Sequence, residues 1–129
     1  MCLTKLKKVY SPPKKVKKTA YAFKVMATYI GDSNLYFPFF LKYPAVLLGD
    51  TVEDTKEYML EVEDISHRYY TTGFHVFSKY KDALSYRVRI GPRCTVVVKV
   101  AIDNIVAIGK QDCWKTLVVK KMEFVELCA

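Results

Sequence analysis

An α+β fold, with a mostly antiparallel sheet and one main helix over about residues 79–88, is what this sequence predicts. Three observations point to it. Short apolar runs rich in β-branched and aromatic residues recur along the chain, and such side chains suit a pleated, half-buried surface. A single stretch, "KYKDALSYRV", spaces its apolar residues as a helix face does. The strands fall in blocks before and after that stretch instead of alternating with helices, which favours antiparallel pairing. At 129 residues the chain is of one-domain length and can bury a core without covalent staples.

The N-terminal part reads as a separate region. Residues 1–24 hold eight of the 21 basic residues, all lysine, and no acidic one, so the remaining 13 basic residues face 13 acidic ones. The net charge of +8 is therefore local. Such a run repels itself and prefers water, and Pro12 and Pro13 lack the N–H that a sheet ladder uses. Residues 1–18 are expected to form a basic, partly flexible arm, and residues 19–129 a single α+β domain. Lys7, Lys8, Lys14, Lys15, Lys17 and Lys18 are the candidate contacts to an acidic partner.

From residue 19 the composition changes. "TAYAFKVMATYI" (19–30) fits a first strand, and "GDSN" (31–34) a turn whose polar side chains bond their own backbone. "LYFPFFLKY" (35–43) is aromatic but broken by Pro38, which leaves an edge strand or an extended loop. "LLGDTVEDTKEYMLEVED" (47–64) reads as a loop with one short helix, since Thr51 and Asp54 resemble a capping pair. Its acids Glu53, Asp54, Glu57, Glu61, Glu63 and Asp64 form a run that is solvated in the usual case and binds a cation in a rare one.

"FHVF" (74–77) is a short strand, Ser78 an expected N-cap, and the helix follows with Ala83 and Leu84 turned inward. "GPR" (91–93) ends it. "CTVVVKVAI" (94–102) is too β-branched to be other than a largely buried strand. Asp103-Asn104 predicts a two-residue hairpin, with "IVAIG" (105–109) as the returning strand. "TLVVKKMEFVEL" (116–127) supplies one or two more strands.

Chemistry-bearing motifs are scarce. There is no Gly-rich phosphate loop, no Gly-x-Ser-x-Gly elbow and no His-Glu-x-x-His helix. No catalytic set, cofactor or metal site is expected. Cys2, Cys94, Cys113 and Cys128 are scattered without a Cys-x-x-Cys pair, which reads as reduced thiols. No apolar run reaches the 18 residues a membrane span needs, and no secretory leader is expected, so the chain reads as intracellular.

His75 deserves the closest reading. Period-two geometry sends Phe74 and Val76 to one face of the strand and His75 and Phe77 to the other. Exposing Phe77 would forgo its burial, so both faces are expected to be covered. His75 then needs a partner such as a tyrosine hydroxyl or a backbone carbonyl. The alternative use of such an imidazole is ligand orientation, with His75, Tyr86 and Tyr70 as candidates. His67 lies in a polar loop and has less claim.

The residues Gly73, Phe74, His75, Phe77, Asp82, Ala83 and Tyr86 also carry a resemblance. "GFHVFSKYKDALSY" resembles a motif of small, mostly uncharacterised proteins of bacteriophages and large DNA viruses, which runs Gly-Phe-His-x-Phe, a gap, then Asp-Ala and a Tyr. "YAFKVM", "VVVKVAIDNIVAIGKQ" and "TLVVKKMEF" are similar to the strands around that motif, whereas "HRYY" has no counterpart. The resemblance implies viral origin, in an infected host cell or a virion, and this strand–helix–strand order; it carries no active site.

The expected function is a non-enzymatic viral interaction or structural module, a minor virion component or accessory protein. Its lysine arm would contact an acidic protein surface or another virion protein, with nucleic acid as a further candidate and oligomerisation left open. Two alternatives remain: a protein that sequesters a nucleotide ligand, and a small enzyme acting on a nucleotide or ADP-ribose through His75.

Overall fold

A computed structural model describes residues 3–38, 44–64 and 66–128. Eight strands and one helix follow in the order β1 (Lys5–Lys14), β2 (Ala20–Ala27), β3 (Thr51–Glu53), β4 (Met59–Glu61), β5 (Tyr69–Thr71), β6 (Phe74–Phe77), α1 (Tyr80–Ile90), β7 (Thr95–Gln111) and β8 (Trp114–Leu127). Six strands form one antiparallel sheet ordered β1-β7-β2-β6-β8-β3, and β4 and β5 pair as a separate ribbon. Because β7 also pairs with β8, the strands β7, β2, β6 and β8 close a circuit. The α+β class is what the sequence predicts.

The closed circuit encloses the largest apolar cluster, built from Ala22, Met26, Phe74, Val76, Val98, Val100, Val119, Met122 and Phe124, with Leu35, Phe37 and Val46 packed on it. The opposite face of the sheet carries two more. Leu3, Leu6, Val62, Tyr70, Val106, Ala107 and Val118 form one under β1 and the ribbon. Val25, Phe77, Ala83, Tyr86 and Val97 form the other under α1. The alternation read in "FHVF" accounts for this split: Phe74 and Val76 enter the first cluster, and Phe77 enters the third.

Several expectations need correction. Residues 5–14 of the expected arm are strand β1, paired antiparallel with β7 from Lys5↔Lys110 to Lys14↔Ile105. Leu3 ahead of it is fully buried, and its carbonyl accepts from the Glu63 N–H at 2.8 Å. "KLKKVY" turns buried Leu6 toward the core while its lysines stay in water. The two prolines do no harm because they lie where the register skips, between Val9 and Lys14, on a strand at the sheet edge.

The predicted hairpin at Asp103-Asn104 is not a hairpin. Asn104 takes φ 56° inside the continuous strand β7, and an extra residue is accommodated between Ile105 and Ala107. Asn tolerates that left-handed backbone, so the turn signal becomes a bend. The chain reverses instead at Asp112 and Cys113, where Gln111 faces Trp114 and Asp112 has φ 58°.

The short helix expected in 47–64 is absent among the described residues, which form β3 and β4 there. The first strand is shorter than 19–30, and the helix runs to Ile90. Lys79, not Ser78, occupies the N-cap position, without a side-chain cap. Tyr86 joins Ala83 as a buried helix residue, whereas Leu84 is partly buried. Of the aromatic stretch 35–43, Leu35 and Tyr36 form isolated bridges to Val46 and Ala27; residues 39–43 lie outside the described part.

Candidate functional site

Two constellations concentrate polar groups: one inside, around His75, and one on the surface, along β1.

The inner one begins at Tyr70, which the β4–β5 ribbon presses fully into the second cluster. Its hydroxyl accepts the Leu3 N–H at 2.8 Å and lies 3.0 Å from His75 Nε2. The hydroxyl and Nε2 share one hydrogen bond, whose direction follows the tautomer of the ring. Burial pushes the His75 imidazole down to about 3, and the nearby Lys24 ammonium adds to the shift. The ring is neutral at pH 7.

The main chain of His75 is held as well. β2 and β6 share one register pair, Phe23↔Phe77, and then diverge. Lys24 donates from Nζ to the His75 carbonyl at 3.0 Å across that gap, with its ammonium 5.9 Å from the centre of the Phe37 ring. Burial lowers Lys24 to about 8. Through Tyr70 and His75 the arrangement links the N-terminal segment, the ribbon, β6 and β2. His75 Nε2 and the Tyr70 hydroxyl, from two of the three ligand candidates, thus meet each other. Tyr86 lies apart, in the third cluster, 5.1 Å from Phe77 and 6.2 Å from Trp114 between ring centres. Burial raises its phenol to about 12.

The surface constellation is cationic. In β1, Lys5, Lys7, Lys8 and Lys14 are exposed. Register places Lys5 opposite Lys110, and Lys110 opposite Lys115. Residues directly opposite share a face, so three ammonium groups stand in a row across β1, β7 and β8, one strand spacing of about 4.8 Å apart at the backbone. Lys7 occupies the register skip beside them, between Leu6 and Lys8. A groove of about 370 Å³ lies here, lined by Lys5, Lys7, Lys110 and Lys115 over Leu6, Ile108 and Gly109.

No carboxylate lines that groove. Among the described residues, none of these four lysines is in an ion pair. The acid nearest in sequence, Asp112, is engaged by Arg89 at 2.5 Å. Gly109 has no side chain for a steric reason: a Cβ there would come within 2.2 Å of the Lys5 carbonyl.

No protein-family model, curated protein or solved structure matches the chain.

The remaining lysines of the expected arm lie farther along. Lys17 and Lys18 line a second groove of about 450 Å³ with Lys121, but Asp103 and Glu123 share it. Lys15 lines a third, opposite Glu53, Asp54 and Glu57. The acidic run thus lies across a groove from the basic one. Among the described residues no three His, Cys, Asp or Glu side chains gather as metal ligands, and no helix is long and apolar enough to cross a membrane.

Sequence reasoning named Lys7 and Lys8 as contacts but missed Lys5, Lys110 and Lys115. The signal was hidden by counting charge along the chain. The zero balance after residue 24 averages lysines on β7 and β8 with acids concentrated in 50–64.

Proposed function

We propose that the protein is a non-enzymatic viral interaction or structural module that contacts an acidic partner through β1 and the strands beside it. The observation that carries this reading is the row Lys5–Lys110–Lys115, with Lys7 alongside and no carboxylate in the groove. Like charges directly opposite on neighbouring strands oppose folding. A sheet that keeps two such pairs in succession gains nothing from them by itself, and gains most when an anion lies over them. The Tyr70–His75 pair supports a bracing role in place of a reaction centre, because the hydroxyl and Nε2 face each other.

The viral setting, in an infected cell or a virion, rests on the likeness of 73–86 to the phage and large-virus motif. Two measurements test the proposal. Full-length protein titrated with labelled polyanions should bind at low salt and release as salt rises, and the triple variant K5Q/K110Q/K115Q should bind more weakly. Mass spectrometry of purified particles, or of complexes from infected cells, should find the chain beside an acidic neighbour. Equal binding by the parent and the triple variant would remove the basis of this reading.

A further inference from the structure

We propose that the acidic partner is a nucleic acid, held by its phosphate backbone without base contacts; this rests on the polyanion reading above and narrows it. Three features of the same face lead there.

The first is the choice of cation. The groove is lined by Lys5, Lys7, Lys110 and Lys115, with neither an arginine nor an aromatic residue. Protein–protein contacts favour aromatic residues and arginine and are poor in lysine. Phosphate oxygens, in contrast, accept from a lysine ammonium as a point charge, with no need of a planar fork.

The second is the linear layout. Lys5, Lys110 and Lys115 run straight across three strands. From Lys5 the cations continue along the edge strand through Lys7, Lys8 and Lys14. Lys5 and Lys14 pair with Lys110 and Ile105, five positions apart on β7, so this track spans about 17 Å at about 3.3 Å per residue. That matches about five base-pair steps of duplex at about 3.4 Å each. A linear anion of constant charge density fits such a track better than a patchy protein surface does.

The third is the state of the aromatic rings. The Tyr10 ring on β1 is flanked by Lys8 Nζ at 4.8 Å and Lys14 Nζ at 5.5 Å from its centre. Trp114, beside Lys115, packs on Phe77 and Tyr86 and under the Arg89 guanidinium. Both rings are already engaged by neighbouring side chains, and the groove holds no arginine fork, the planar group best suited to reading a base edge. Binding is therefore independent of sequence, and duplex suffices.

The test is fluorescence anisotropy with the full-length protein against three labelled probes: two duplex DNAs of unrelated sequence and polyglutamate. Each is measured across a salt series. The two duplexes should bind alike. The slope of log K against log salt should fall by about 0.9 for each lysine lost, hence by about 2.7 for K5Q/K110Q/K115Q. The control K79Q/K81Q, at the start of α1, should leave the slope unchanged. Melting temperatures of the variants confirm that each is folded. Polyglutamate binding through the same row with no DNA binding would overturn this inference and leave the broader reading standing. Failure of all three probes to bind at low salt would overturn both. Equal loss in both variants would show an effect of total charge and would overturn the assignment to this face.

Discussion

Replacing Tyr70 with Phe removes one oxygen atom and breaks two buried bonds. The Leu3 N–H loses its acceptor at 2.8 Å, and His75 Nε2 loses its partner at 3.0 Å. A buried polar group left unpaired costs about 1–3 kcal/mol. The two together come to about 2–6 kcal/mol, a large share of the stability of a small domain. The ring itself stays, so the apolar packing of the second cluster is retained and no cavity term enters. With a urea m-value of about 2 kcal/mol per molar, the unfolding midpoint should fall by about 1–3 M. Hydrogen exchange at the Leu3 amide should accelerate in the same variant, because its acceptor, the Tyr70 hydroxyl, has gone. A Y70F midpoint within about 0.3 M of the parent, with Leu3 still protected, would refute the claim that this hydroxyl ties the N-terminus to β6.

Three further outcomes are expected. His75 is held near 3 in the fold against 6.5 in the open chain, so the unfolded state takes up the proton first as pH falls. Stability should thus be full above pH 6.5 and decline toward pH 4 by up to about 1.4 kcal/mol per unit. H75Q should lower the melting temperature at pH 7 and abolish that decline, while a parallel pH profile would exclude His75 as its source. Gly109→Ala puts a Cβ within 2.2 Å of the Lys5 carbonyl; it should cost about 3 kcal/mol and open β1 to a lysine-specific protease, and unchanged proteolysis would count against the close approach. Asn104→Gly should be near neutral in thermal unfolding, whereas Asn104→Val should cost about 1–2 kcal/mol at φ 56°; equal melting of the two would argue against a left-handed residue there.

The parts of the fold that could be read in the sequence are those where side-chain pattern and local backbone agree. "FHVF" alternates, and both of its faces are covered; of the two partners the same reasoning offered His75, a tyrosine hydroxyl or a backbone carbonyl, the structure has the hydroxyl of Tyr70. The parts that could not be read are set by distant pairing. Nothing local distinguishes "KLKKVYSPPK" as an edge strand from the same residues in water, because its ladder is supplied by β7. Asp103-Asn104 carries hairpin chemistry, yet its neighbours on β7 keep pairing with β8 from Asp103↔Lys121 to Ile105↔Val119, so tertiary contacts override the turn signal. Ser78 has the chemistry of a cap but sits one residue too early. For the candidate site, Lys7, Lys8 and Lys14 of β1 were visible, but Lys5 was not singled out. Lys110 and Lys115 gain meaning through register alone, and register is not a property of either residue's neighbours in sequence.

The pairing of β1 with β7 bears on when the surface can exist during synthesis. Thr4 bonds the Lys110 carbonyl, 106 positions away. A nascent chain emerging N-terminus first carries its early lysines long before the strand that aligns them leaves the ribosome. The aligned row is thus a late product of translation, and a prematurely terminated chain lacking β7 and β8 would carry the charge without the array. Whatever binds the row selects finished molecules.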